Sequence, residues 1–218
     1  MQPTGTEFVH FIRSIYARPN GTGAILNLIR ASEVRAAADL SCLADVIADD
    51  ALRLDITRHA ADEARHAWLL VRRMAEVGFS PSRLPVPVDR TEGIVARCRA
   101  RDPKRVYAER GMFDDEEVLE TLVAATLAEQ DAVPKLEANY EALADAPQTQ
   151  AVIGSILRDE RRHVAYLGEW ITRFERRLSP EVVRSTRERL EADFAELNGL
   201  FHASFEEYLN AAAVQIAA

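Results

Sequence analysis

The sequence predicts an all-α fold: a four-helix bundle with a long crossover between its second and third helices, plus an additional C-terminal helix. It reads as one domain over residues 1–218, with the bundle at about 20–177 and the last helix at about 180–215. Three observations carry this. Apolar residues recur at helical spacing through four long segments. The nine glycines and nine prolines fall largely between those segments. A five-residue phrase occurs twice, as Asp62-Glu63-Ala64-Arg65-His66 and Asp159-Glu160-Arg161-Arg162-His163, each copy preceded by a lone glutamate about one helix length upstream.

A short helix is expected near Glu7–Ala17, ended by Pro19-Asn20-Gly21. The first bundle helix spans about Gly23–Ala48, with Leu26, Ile29, Glu33, Ala37, Leu40 and Ile47 on its inward stripe. Asp49 or Asp50 caps the second, about Ala51–Val77. Its stripe is Leu52, Ile56, His59, Glu63, His66, Leu70 and Met74, and Gly78 ends it. A connector, Phe79–Phe113, holds Pro81, Pro85, Pro87 and Pro103. Asp114 with Glu117 forms a capping box for the third helix, whose stripe is Leu119, Leu122, Thr126, Glu129, Leu136, Tyr140 and Leu143. Pro134 lies inside it, removing an N–H and crowding the carbonyl of Gln130. Asp145, Pro147 and Gln148 open the fourth helix, with Ile153, Ile156, Glu160, His163, Leu167 and Trp170 inward. Ser179-Pro180-Glu181 starts the last, whose stripe of Leu190, Phe194, Leu197 and Phe201 packs across the bundle or forms a dimer contact.

Glu and His at i, i+3 share one helix face, so both can reach one metal ion. Four helices presenting Glu33, Glu63-x-x-His66, Glu129 and Glu160-x-x-His163 supply the ligand set of a two-metal carboxylate bundle. Chance is a poor source. With 21 glutamates and five histidines, roughly half a Glu-x-x-His is expected from composition, and three occur. The third, Glu7-x-x-His10, lacks the flanking Asp and Arg and has no upstream glutamate, so we read it as coincidence. Four carboxylates balance two divalent cations, whereas four bare glutamates in a core repel or protonate. Oxygen-rich ligands with two imidazoles suit Fe or Mn better than a closed zinc site.

These residues resemble the ferritin-like di-iron carboxylate superfamily over about residues 20–177. Asp-Glu-x-Arg-His is similar to the ligand motif of bacterial multicomponent monooxygenases and acyl-carrier-protein desaturases. The resemblance implies that Glu33, Glu63, His66, Glu129, Glu160 and His163 hold two Fe ions, with Mn as the alternative. Asp62 and Asp159 would hold the imidazoles by their outer nitrogens, and Arg65 and Arg162 would bind those aspartates. Each aspartate lies four residues before its own histidine, so a carboxylate is at hand. The implied activity is an O2-activating di-iron oxidoreductase of hydroxylase or oxygenase type. It takes electrons from an external donor and acts on a small-molecule or carrier-bound organic substrate. Other readings are a peroxidase or catalase with iron or manganese, a tRNA-hydroxylase-like enzyme, and a non-catalytic metal-binding protein. Storage ferritins lack the second Glu-x-x-His, and rubrerythrins carry an extra glutamate where Thr126 or Ala132 stands here.

His59 sits one turn before Glu63, where the second half has Ile156. It is an extra ligand, a proton relay or a satisfied core histidine. The connector carries Arg97, Arg99, Arg101, Lys104, Arg105 and Arg110 against Asp102 and Glu109. It reads as a solvated loop or as a docking patch for an acidic reductase, an anionic substrate or RNA. A net charge of −8 disfavours general nucleic-acid or anionic-membrane binding. No apolar run spans a bilayer, no signal-peptide pattern opens the chain, and two cysteines make no disulfide framework. A cytoplasmic protein is expected.

Overall fold

The structure, a computed structural model, describes residues 5–85, 88, 93, 97 and 103–214. Every regular element among them is a helix: α1 (Gly5–Tyr16), α2 (Gly21–Val46), α3 (Asp50–Glu76), α4 (Pro103–Glu109), α5 (Asp115–Ala142), α6 (Pro147–Arg177) and α7 (Pro180–Val214). The starts follow local chemistry. Asp49 Oδ1 accepts from the N–H groups of Ala51 and Leu52 at 3.0 and 3.1 Å, a cap whose loss costs about 1 kcal/mol. Asp114 and Glu117 complete the capping box, with bonds of 2.9 and 3.0 Å. Pro147 opens α6, where its missing N–H would have had no partner. Gly78, at φ 74°, closes the α3 end.

α3 and α6 run antiparallel, which the cross-links between them make plain. Asp55 accepts from Trp170 Nε1 at 2.8 Å, Asp62 from Arg162, Asp159 from Arg65, and Thr149 Oγ1 from Arg73 at 2.9 Å. As the α3 partner rises in number, the α6 partner falls. α2 packs along α3 and α5 along α6.

Two apolar clusters fill the interior. One joins Leu40, Leu52, Ile56, Leu122, Leu167 and Trp170; the other joins Leu26, Leu70, Met74, Leu136, Ile153 and Ile156. On each of α2, α3, α5 and α6 the predicted ligand residues fall between the residues given to the two clusters. A polar layer therefore crosses the bundle between two dry ends. Burying one Leu or Ile in such a cluster contributes roughly 1.5–3 kcal/mol, which is what can hold a repulsive layer in place.

The last helix packs within the chain: Leu190 and Leu197 join the first cluster and Phe201 the second. Tyr208 donates to the Ala24 carbonyl at 2.9 Å. The connector is not one loop, since α4 interrupts it and seats the buried Val106. α5 passes through Pro134 without ending, and Gln130, whose carbonyl loses its partner there, is on the exposed side. Tyr140 departs from the expected inward stripe and is 43% exposed. Asn139 takes the buried position instead, accepting from Tyr16 Oη at 2.6 Å and donating to the Lys135 carbonyl at 2.7 Å. The Tyr140 ring lies over Gly154, where any Cβ would collide with it. Among the described residues, no helix is long and apolar enough to cross a membrane.

Candidate metal centre

Six buried residues meet at the middle layer: Glu33 from α2, Glu63 and His66 from α3, Glu129 from α5, Glu160 and His163 from α6. They form two overlapping groups able to hold metal ions. One is Glu33, Glu63, His66 and Glu160; the other is His59, Glu63, Glu129, Glu160 and His163. Glu63 and Glu160 belong to both. Glu160 places Oε1 at 3.3 Å from His66 Nδ1 and Oε2 at 2.7 Å from His163 Nδ1. Glu63 lies 3.7 Å from His66 Nδ1 and 3.2 Å from His163 Nδ1 through its two oxygens. The two Glu-x-x-His glutamates thus span the centre. Glu33, 3.1 Å from His66 Nδ1, and Glu129, 3.1 Å from His59 Nε2, stand at its two sides.

Both motif histidines turn Nδ1 inward and Nε2 outward. Their outer partners differ from the sequence expectation. His66 meets Asp159 at 3.2 Å rather than Asp62, and His163 faces Asp62 at 3.6 Å rather than Asp159. The arginines cross as well. Arg65 donates to Asp159, and Arg162 donates to Asp62 at 2.5 Å while also reaching Asp159 at 2.8 Å. Arg65 lies 3.6 Å from Asp62. The reason is geometric. At the ring of an inward-facing histidine, the antiparallel neighbour's aspartate is closer than the residue one turn back on the same helix. Each half of the centre is therefore oriented by the other.

Burial sets the electrostatics. Burial first, then the charge of Glu63, drives Glu33 well above the ordinary carboxyl range. Burial and the charge of Glu160 raise Glu129 to about 8. Glu160 is raised by burial and by Glu63. Glu63 goes the other way: burial pushes it up, but Glu33, His59 and His66 outweigh this and hold it ionised. Burial would lower His59, yet Glu129 and Glu63 lift it to about 9. His66 is likewise raised, since Glu160 and Glu33 outweigh its burial. His163 falls to about 4 through burial and the neighbouring His59. Without cations, the layer balances its charge by holding extra protons on Glu33, Glu129, His59 and His66.

Hydrogen bonding leaves a gap that a cation fits. Glu63 Oε1 makes no hydrogen bond although His59 Nε2 and His163 Nδ1 lie at 3.0 and 3.2 Å. These contacts are short without being aligned, so we treat them as Coulombic. Several donor atoms converge within 4.8 Å of one another, as atoms sharing an ion do. Carboxylates with imidazole nitrogen are a donor set that divalent metal ions accept.

His59 belongs to this cluster. It is 1% exposed, and its Nδ1 lies 2.7 Å from Tyr166 Oη. The sequence reading missed Tyr166; its signal was the spacing of one turn after His163. Glu7 and His10 are both exposed on α1, outside either group. In the basic connector, Arg97 pairs with Glu196 at 3.0 Å, Arg105 with Glu109 at 2.6 Å, and Arg110 with Glu117. Arg99, Arg101 and Asp102 lie outside the described residues, as does Cys98. No family model, curated protein or solved structure matches the chain.

Proposed function

We propose that this chain is a ferritin-like di-iron carboxylate oxidoreductase of hydroxylase or oxygenase type. It would act on an organic substrate with electrons from a separate donor. The observation that carries the reading is the pair of interlocked Glu…Glu-x-x-His sets. Two glutamates reach both imidazoles, and a buried carboxylate oxygen lacks a hydrogen bond. Glu33 and His66 would hold one ion, Glu129 and His163 the other, with Glu63 and Glu160 between them. When bound, two ferrous ions supply the electrons and open positions that O2 reduction requires.

The chain's own residues do the rest. Four glutamates neutralise two dications, so the layer can stay buried. The apolar clusters on both sides exclude water from it. Asp159 bonds the outer nitrogen of His66 and Asp62 faces that of His163 at 3.6 Å without a hydrogen bond, and Arg65 and Arg162 hold those aspartates. Substrate identity is set by residues around the layer rather than by the layer itself.

The test is anaerobic loading of the full chain with Fe(II), followed by O2. Two irons per chain, O2 consumption that depends on an added reductant, and a transient visible absorbance are expected. Rapid disproportionation of H2O2 without O2 consumption would replace the oxygenase reading by a peroxidase or catalase. Bound iron that never reacts with either would leave a structural metal protein.

A further inference from the structure

The two ends of the metal layer are built differently, and the difference lies in one polar pair. Superposing the repeated motif puts Ile156 at the place of His59 and Leu69 at the place of Tyr166. One end thus carries an imidazole with a phenol behind it, and the other carries two aliphatic side chains. We infer that His59 is a seventh ligand, entering through Nε2 on the Glu129–His163 side only, with Tyr166 positioning it, so that the two metal positions are chemically unequal. This rests on the two-metal reading above.

Three observations carry it. His59 Nε2 lies 3.0 Å from Glu63 Oε1 and 3.1 Å from Glu129 Oε1, oxygens of the ligand set itself. Its ring packs against that of His163 at 3.7 Å between centroids, and a nitrogen of each lies within 4.8 Å of the other and of oxygens of Glu63, Glu129 and Glu160. Its other nitrogen, Nδ1, faces Tyr166 Oη at 2.7 Å. An Nδ1–H donated to that phenol oxygen leaves the Nε2 lone pair aimed into the layer. Metal-binding imidazoles are held in this way, by a partner on the outer nitrogen. His66 has Asp159 there at 3.2 Å, and His163 faces Asp62 at 3.6 Å without a hydrogen bond; His59 has a neutral phenol. Tyr166 is thus a positioning residue and His59 the ligand. Two imidazoles on one side and one on the other make the first side the tighter site for a nitrogen-preferring ion such as Co(II).

The experiment titrates the metal-free full chain with Co(II) alone, following calorimetric affinity, visible absorbance and hyperfine-shifted exchangeable imidazole protons. Wild type should bind two ions in two steps, with three shifted imidazole N–H signals when full. His59→Ala should weaken the tighter step by about 100-fold or more, beyond what loss of an outer partner alone does. It should remove one of the three signals and leave the weaker step in place. Tyr166→Phe should weaken the same step by about tenfold and make the His59 N–H signal exchange faster. Unchanged steps in His59→Ala, or only two shifted signals in wild type, would overturn the proposal. The signal count needs no variant, so it decides even if His59→Ala does not fold. Fewer than two Co(II) bound at saturation in wild type would instead overturn the two-metal reading, and this inference with it.

Discussion

The α2–α3 half of the buried Glu/His layer and the α5–α6 half repeat one another in candidate ligands but not in surroundings. Each offers an upstream glutamate, a Glu-x-x-His and an Asp–Arg pair. Yet His66 sits 3.2 Å from its aspartate, which Arg65 and Arg162 both bind, while His163 sits 3.6 Å from its own, which Arg162 binds at 2.5 Å. Only the α5–α6 side gains an additional imidazole, and it comes from α3. The halves are therefore not independent modules. Each is completed by side chains of the other, and a change in one is felt across the centre.

The largest effect should come from the glutamates shared by both sides. Glu63→Ala or Glu160→Ala should lower stoichiometry from two ions per chain toward none, by elemental analysis after reconstitution. Glu33→Ala or Glu129→Ala should lose one ion, on its own side. Because the charge of Glu63 raises Glu160, removing Glu160 relieves repulsion, and metal-free Glu160→Ala should melt no lower than wild type; Glu63→Ala strips His59 and His66 of an ionised partner and should melt lower. Glu7→Ala should keep both ions. Equal losses from Glu33→Ala and Glu63→Ala would show that the halves are not bridged as the distances suggest.

Next come the crossed aspartates. Asp159→Ala should weaken the ion on the His66 side, and Asp62→Ala the ion on the His163 side, by about 10–100-fold each. The Asp159 variant should be the more affected, given its shorter contact. Stepwise calorimetry can assign the loss when combined with Glu33→Ala and Glu129→Ala. If Asp62→Ala weakened the His66 side instead, partners on the same helix would govern orientation after all.

The protonation pattern gives a pH prediction. His59, at about 9, and Glu129, at about 8, hold protons in the fold that the unfolded chain loses near 6.5 and 4.5. Folded protein then binds more protons, so stability falls as pH rises. The stabilisation from His59 is complete below 6.5 and gone above 9, and that from Glu129 is complete below 4.5 and gone above 8. Melting of the metal-free protein should therefore drop between pH 6.5 and 9. Metal affinity should climb over the same range, since ions displace those protons. His59→Ala should flatten the melting profile; a profile already flat in wild type would refute the assigned protonation.

The smallest effect concerns the connector. Arg105→Glu, on an exposed side chain paired with Glu109, should leave metal content and single-turnover O2 reactivity of reduced protein untouched. If α4 docks a donor, multiple-turnover rates should fall modestly, and most at low salt. A uniform fall at all salt concentrations would point to a structural role.

Local chemistry made the helices legible in the sequence. Asp49, the Asp114–Glu117 box, Pro147 and Gly78 act within one turn of chain, and the structure has them where spacing predicts. The apolar stripes were legible for the same reason, since a helix turns a fixed amount per residue. All seven stripe positions of α3, from Leu52 to Met74, are buried. Tyr140 failed because a long aromatic can satisfy itself over Gly154 while Asn139, with a partner in Tyr16, goes inside.

By itself, the sequence determined that four helices each carry acidic or imidazole groups on an otherwise apolar face. Such a face can be buried only against others that share its charge problem, so the six residues had to meet. Tertiary structure alone decided which aspartate orients which histidine, which glutamates lie between the two sides, and that His59 reaches across to Glu129. Those choices depend on helix direction and on ångström differences in side-chain reach. A spacing rule along one helix contains neither, because it says nothing about the neighbour that the helix packs against.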